Sequence, residues 1–513
     1  MSKPEMNKVV LIKSASVYSP GRVGSVSNTP PVGLAYIAAV LKEAGIPLQV
    51  IDAFGENPDQ ITNMQEFIVQ GLTNEQVNAR ISADAEIIGF SCMFSNEWYY
   101  LKRLITLVKE HFPNAMTVLG GEHATALAEY CLLSCNSLDC VICGEGEYAL
   151  LKLAQTFQRN NSVLGQIPGA VYRDTDESIK RASLPARIEH LDALPLPAWE
   201  LFPITNYLER GLATITKKGQ RVIPILASRG CPYSCKFCSK TMMYGTRYFI
   251  RSVESVIREI DWLLQKYQIT GFELQDLTFV TKKSWIKDFC AKLIDRKLNL
   301  IWNVPTTRSE SIDEDVVALL RQSGCTNLCL TPDSGSPRMI AKINKKVDLD
   351  RVFKTVKCLL KGKIILKVNL LIGFPEEKHA DIWRSLWYGV KLAFQGVPSV
   401  LFYHFVPYPG SAYFTELLNK RKIPPLGEEF DRYLISNVYN ELRVIKSYSD
   451  NISDRSLKIY LFTGYLTTQL VYFLFHPLEV YRMIGRIRKG IPQSQIEILV
   501  DSFYKSISVK RQV

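Results

Sequence analysis

Between Val222 and Val406 the chain alternates apolar runs with amphipathic helical stretches, and this alternation restricts the fold more than any other feature. The apolar runs are RVIPILAS, GFEL, LNLIWNV, TNLCLT, KIILKVNLLIGF and SVLFYHFV; helical patterns such as SVESVIREIDWLLQKY and LDRVFKTVKCLLKG separate them. A helix between successive strands returns the chain to the same end of the sheet, so the strands are expected to lie parallel. Six such units are too few to close an eight-stranded barrel.

The first strand runs into SRGCPYSCKFCSK, Ser228 to Lys240, which sets Cys231, Cys235 and Cys238 at Cys-x3-Cys-x2-Cys spacing. With twelve cysteines in 513 residues the chain is no disulfide scaffold. The opening MSKPEMNKVVLIKS has no apolar signal core, so a cytoplasmic location with reduced thiols is expected. In that setting a tight cysteine group points to metal binding or redox chemistry. Structural zinc normally takes four ligands, and iron–sulfur clusters usually take four cysteines. A cubane held by three leaves one iron open to a substrate or cofactor. The triad also begins where a strand ends, as sites do in parallel α/β folds, and Phe237 puts an aromatic before its last member.

This motif resembles that of the radical S-adenosylmethionine (SAM) enzymes. The resemblance implies a partial (β/α)6 barrel and a 4Fe–4S cluster on Cys231, Cys235 and Cys238. It also implies that the open iron binds S-adenosylmethionine, which the cluster cleaves to a 5′-deoxyadenosyl radical. Later strand ends are similar to further elements of the family. TPDSGSPRMI aligns Asp333, Ser334, Gly335 and Ser336 with Gly-x-Glu-Ser-Gly-Ser, although Asp333 replaces a glutamate and Thr331 a glycine. LLIGFPEE sets Gly373, Pro375 and Glu376 near the adenosyl group, and VPYPGS resembles the element after the sixth strand. ELQDLTF keeps Asp276 and Phe279 but has Gln275 where a second acid is frequent. The residues expected to contact S-adenosylmethionine are Phe237, Asp276, Asp333, Ser334, Gly335, Ser336, Gly373, Pro375 and Glu376.

Ahead of this barrel, KVVLIK, LQVIDAF, EIIGFS, MTVLGG and DCVICGEG read as five strands ending in Gly, Ser or Asp, with helical segments between. They predict a doubly wound, flavodoxin-like sheet with its ligand beyond the carboxyl ends of the strands. PPVGLAYIAAVLKEAG, VLGGEHATALAEY, CGEGEYALLKL and the connector HLDALPLPAWEL resemble the cobalamin-binding domain fused to many radical SAM barrels. The resemblance implies cobalamin contacts from Pro31, Gly33, Ser91, Gly120, Gly121, Glu122, His123, Gly144, Glu145 and Gly146. The Asp-x-His-x-x-Gly motif that supplies a cobalt-ligating histidine elsewhere is missing, so cobalamin is expected without a histidine ligand; His123 is the sole candidate. The expected organisation is a cobalamin domain over 1–160, a linker over 161–215, the barrel over 216–417 and a mainly helical region over 418–513.

Cys131, Cys135, Cys140 and Cys143 offer a second group, but two lie at helical spacing and two on a strand with opposite facings, so packing is expected. The same is expected of Cys290, Cys325, Cys329 and Cys358. Ile459 to Phe475 holds seventeen uncharged residues, yet its threonines, tyrosines and glutamine suit a buried helix better than a membrane span. From Phe473 to Val513 seven Lys/Arg stand against three Asp/Glu, and the formal net charge is +12. That balance permits peripheral contact with an anionic membrane, though dispersed surface charge explains it as well. No nucleic-acid-binding motif is present, and no nucleic-acid partner is expected. By resemblance the chain is expected to move a methyl group from methylcobalamin to an unactivated carbon of a small molecule or peptide. An external electron donor such as flavodoxin or ferredoxin is then required. Oxidative cyclisation or rearrangement without methyl transfer, and a non-catalytic cobalamin sensor, are the alternatives.

Overall fold

The computed structural model describes residues 7–20, 29–157, 161–212, 219–279, 281–441, 443–488 and Glu497. The expected linker residues 213–218, and the end of the chain beyond Arg488 except Glu497, lie outside the described residues.

The amino-terminal sheet has seven strands. Five are parallel, in the spatial order Leu48–Asp52, Val9–Lys13, Ile87–Ser91, Met116–Gly120, Cys140–Ile142. Numbered along the chain this is 2-1-3-4-5, the flavodoxin-like order. These strands are nearly continuous runs of Val, Ile, Leu and Met because helices cover both faces. The stretch expected as linker adds two further strands: Ala170–Arg173, antiparallel to the Cys140–Ile142 edge, and Ile179–Arg181, antiparallel to Ala170–Arg173. A small antiparallel sheet of Ser16–Tyr18, Ile61–Asn63 and Ile68–Gln70 flanks the first strand, and the helix-and-strand pattern gave no sign of it.

The connector then docks back on this domain. Trp199 is fully buried with its ring 5.9 Å from Phe202, and Ala198 N donates to Ala35 O at 3.0 Å. One continuous apolar cluster runs from Leu11 and Val118 through Trp199 into the barrel at Ile223 and Phe272. The barrel strands are Val222–Ile225, Gly271–Leu274, Ile301–Thr307, Cys325–Asp333, Ile365–Ile372 and Ser399–His404, all parallel and paired in chain order. The sheet is open, with the first and sixth strands as its edges.

The carboxyl-terminal helices hold both domains. Helix Glu428–Ser436 lies on helix Trp98–His111, where Asp431 is wholly buried, pairs with Lys102 and accepts the Tyr130 hydroxyl at 2.6 Å. Helix Asp454–Phe475 lies against helix His379–Gln395 and the sixth barrel strand. Gly464 permits this approach, since a Cβ there would stand 2.8 Å from Phe402. Among the described residues no helix is long and apolar enough to cross a membrane.

Candidate functional site

Cys231, Cys235 and Cys238 lie half-buried in the loop after the short strand Ser228–Gly230. Three anchors shape this loop. Lys240 Nζ donates to the carbonyls of Cys231, at 2.5 Å, and Gly245, at 2.9 Å. Lys236 N bonds Ile343 O at 3.0 Å, and Lys236 O receives Tyr413 N at 3.1 Å. Asn344 Nδ2 reaches Ser234 O and Oγ, each at 3.0 Å. Arg308 stacks on Tyr233 with 3.7 Å to the ring centre, and Lys345 stands over Phe237.

Burial raises the thiols of Cys235 and Cys238, the latter to about 11, and the neighbouring cysteines add to the shift. The three sulfurs therefore sense one another. Among the described residues, however, no three His, Cys, Asp or Glu side chains converge tightly enough for one metal ion. A zinc ion would draw its sulfurs to about 2.3 Å from itself. A multi-iron cluster spreads its cysteines wider, so this donor set suits a cluster and not a mononuclear site. Lys345 and Arg308 pull the Cys235 thiol back down, the cationic setting that thiolate ligands need.

The other expected S-adenosylmethionine contacts separate into two groups. Phe237 stacks toward Phe374, with ring centres 5.8 Å apart. Glu376 remains partly exposed, accepts the Tyr413 hydroxyl at 2.7 Å and lies 4.0 Å from Lys236 Nζ. Gly373 has φ +94 and would strike Leu457 with any side chain; Pro375 follows it in the same turn. By contrast, Asp276 is buried beneath the loop, accepting the Ser228 hydroxyl, and burial lifts its carboxyl to about 6. Asp333, at φ +65, pairs with buried Lys345 at 2.5 Å. Ser334 and Ser336 are buried and spend their hydroxyls on Ser385 and Asp381, at 3.1 and 2.7 Å. Gly335 is wedged under Tyr388. These five brace the barrel rim from within.

At the carboxyl end of the amino-terminal sheet an apolar cavity is lined by Gly33, Ser91, Gly120, Gly121, Gly144, Glu145 and Gly146, all predicted from sequence. Leu226, Arg229, Met243 and Tyr244 of the cysteine-bearing segment complete its wall. Pro31, Glu122 and His123 are not part of the lining. His123 is buried, bonds Ser95 through Nδ1 at 2.9 Å and is held neutral by burial, its pKa falling to about 3. Glu122 is half-buried near Ser239 and Lys240, and burial raises its carboxyl. Cys131, Cys135, Cys140 and Cys143 are buried free thiols, as are Cys290, Cys325 and Cys329, while Cys358 is half-buried.

The glycines of the cavity differ in a way that bears on a ligand. Gly121, at φ +110, faces the Cys92 carbonyl, and Gly144, at φ +78, faces Pro185 at 2.8 Å, so the protein itself requires both. A Cβ on Gly33 would meet nothing within 4 Å, and one on Gly120 only Ile142 O at 3.8 Å. Neither has a positive φ. Nothing in the protein asks for glycine there, and the space left open suits close approach by a bound molecule.

Sequence reading passed over the residue that joins the two halves. Arg229, two before the first cysteine, is buried and binds Glu145 at 2.9 Å and Glu147 at 2.7 Å across the domain boundary. Arg187 of the connector takes the other oxygen of Glu145 at 2.6 Å. Glu145 is thus fully engaged by arginines at the cavity's edge. A second group carries its signal in KIILKVNLLIGF, where Lys367 and Asn369 alternate with buried Leu366, Val368 and Leu370. They face away from the packed helices, on the side where Lys367 and Tyr403 each interact with Cys329.

A family model described as B12 binding domain matches residues 22–154, and one described as Radical SAM superfamily matches residues 225–386. An uncharacterized methyltransferase of Pyrococcus horikoshii is 27% identical over 383 residues, covering 74% of this chain and 77% of that protein. The anaerobic magnesium-protoporphyrin IX monomethyl ester cyclase of Rubrivivax gelatinosus is 25% identical, covering 81% of this chain and 70% of the relative. Among solved structures, the radical S-adenosylmethionine methyltransferase TsrM from Kitasatospora setae, with cobalamin and a 4Fe–4S cluster bound, superposes with a TM-score of 0.64. That match has 18% identity and covers 81% of this chain and 78% of the other. At such identity it speaks for the fold.

Proposed function

We infer, from a chain that belongs to the radical SAM enzymes and carries a B12-binding domain ahead of the barrel, that it transfers a methyl group to an unactivated carbon of a small molecule or peptide. The observation that carries this reading is the junction itself: a glycine-floored cavity joined by buried Arg229 to a loop of three mutually interacting thiols. When bound, the cluster, S-adenosylmethionine and cobalamin supply the electron, the hydrogen-abstracting radical and the methyl group.

The chain's own residues hold and orient these groups. Cys231, Cys235 and Cys238 would ligate the cluster, and the half-buried Phe237 and Glu376 beside them would border S-adenosylmethionine. Asp276, Asp333, Ser334, Gly335, Ser336, Gly373 and Pro375 would keep the rim in shape beneath it. Gly33 and Gly120 would let cobalamin approach the backbone, with Ser91, Gly121, Gly144 and Gly146 beside them, while Glu145 fixes the wall through its arginines. His123 lies outside the cavity lining, and this supports cobalamin bound without a histidine ligand. Lys367, Asn369 and Tyr403 offer the substrate polar contacts on the open side of the sheet. An external one-electron donor such as flavodoxin or ferredoxin completes the system.

Leucine at Gly33 or Gly120 should fill the cavity without disturbing the fold, because neither Cβ meets an obstacle. Cobalamin titration followed by absorbance should show affinity weakened by roughly tenfold or more, with an unchanged melting midpoint, given the cost of overfilling a packed space. Unchanged affinity would remove this cavity as the cobalamin site.

For the reaction, reduced, cobalamin-loaded protein is incubated with methyl-labelled S-adenosylmethionine and host extract. The expected product is one methylene heavier and carries the label, with one S-adenosylhomocysteine and one 5′-deoxyadenosine formed per turnover. A product without label would replace methyl transfer by cyclisation or rearrangement.

A further inference from the structure

We propose that the outer face built by helices His379–Gln395, Asp454–Phe475 and Pro477–Arg488 docks this protein on an anionic membrane surface.

Helix Asp454–Phe475, uncharged from Ile459 onward, presents one face inward and one outward. Its inward face, through Leu457, Leu461, Gly464, Thr468 and Tyr472, packs against the barrel. Its outward stripe, Ile459, Phe462, Leu466, Leu470 and Leu474, repeats every three or four residues and is exposed. Phe462 is 68% exposed and Leu474 73%. Helix His379–Gln395 adds Trp383, Trp387 and Phe394 beside that stripe, with Trp387 61% exposed. The two sets are continuous, since Trp383 meets Tyr460 at 5.6 Å and Phe394 meets Phe475 at 4.6 Å. At 1.5 Å per residue the stripe from Ile459 to Leu474 extends roughly 23 Å along this helix. Contiguous apolar surface on that scale marks an interaction face.

The third helix has no other account. Among the described residues Pro477–Arg488 has no buried member, and beyond its own turns its Arg486 pairs with Glu497 at 2.7 Å. A helix of 12 residues is marginal in water unless its apolar side is covered. Leu478, Tyr481 and Ile484 remain exposed on it, while Arg482, Arg486 and Arg488 supply the polar side. That is the composition of a helix lying in a membrane interface, where Trp and Tyr rings also settle.

Charge selects the occupant. The three helices carry seven Lys/Arg against three Asp/Glu, and one of those acids, Asp381, is buried and paired with Arg338. Anionic lipid headgroups complement such a face. A second copy of the same face would set like charges together, which disfavours self-association. Among the described residues no helix is long and apolar enough to cross a membrane, so the contact proposed for this face is from one side. The proposal is independent of the methyl-transfer reading.

The test is flotation of the full-length holoprotein with vesicles of phosphatidylcholine alone or mixed with phosphatidylglycerol. The expected result is recovery with the mixed vesicles, little recovery with phosphatidylcholine alone, and weaker binding as salt is raised. The double variant Trp387→Ser, Leu474→Ser should lower the vesicle-bound fraction about tenfold, from loss of buried apolar area. Its cobalamin and iron content should stay unchanged, which shows that it folds. Wild type left unbound by both vesicles would overturn the proposal, as would a variant that binds like wild type. So would a wild-type dimer that the double variant converts to monomer, since a second copy would then own the face.

Discussion

Cys235→Ala is expected to leave the protein folded but without its cluster. Anaerobically reconstituted wild type should hold about four irons per chain at this site, and the variant should lose them together with 5′-deoxyadenosine formation. The reasoning is geometric. The loop keeps its shape through Lys240, Asn344 and Tyr413, none of which uses the Cys235 thiol, so the fold does not depend on it. Among the described residues no three candidate donors converge to take one metal ion in its place. Iron and 5′-deoxyadenosine retained in a triple Cys231→Ala, Cys235→Ala, Cys238→Ala protein would refute the cluster assignment.

Arg229→Met is expected to have the largest effect on stability. It would strand Glu147, whose carboxylate is buried with Arg229 as its ion-pair partner, and it would halve the arginine contacts of Glu145. Removing one member of a buried charge network costs about 3–5 kcal/mol, because the acid left behind is desolvated without compensation. Denaturant melts should show that loss, and cobalamin affinity should fall with it, since Arg229 also lines the cavity. Adding Glu147→Gln should restore a good part of the stability by removing the stranded charge. Arg229→Lys should recover only part, because a single ammonium does not span two carboxylates as a guanidinium does. A loss below about 1 kcal/mol would mean the seam is solvated and does not bind the domains.

Local pattern carried much of the reading. The six-fold alternation from Val222 to Val406 became six parallel strands in chain order, and the five apolar runs ahead of it became the parallel part of a sheet in 2-1-3-4-5 order. Both follow from periodicities of two and 3.6 that neighbouring residues enforce on one another. The cysteine triad was legible because all three thiols lie in one short loop. Gly33 and Gly120 stood in recognisable stretches, yet only the surroundings separate them from Gly121 and Gly144, which their own φ and neighbours require.

What the tertiary structure alone decided comes from contacts between residues distant along the chain. Nothing near Arg229 in sequence reveals that its guanidinium lies between Glu145 and Glu147, because the domains must first dock. Ser334 and Ser336 read as ligand contacts until helix His379–Gln395 brings Ser385 and Asp381 against their hydroxyls. The strands Ala170–Arg173 and Ile179–Arg181 passed for linker because two short edge strands carry too few residues for a clear period. The run Ile459–Phe475 carries no charge on either side, so composition could suit it to burial but not show that its Ile, Phe and Leu stripe faces outward. Sequence names which groups can do chemistry or bury themselves; packing decides which of them are already spent on the protein and which remain open to a partner.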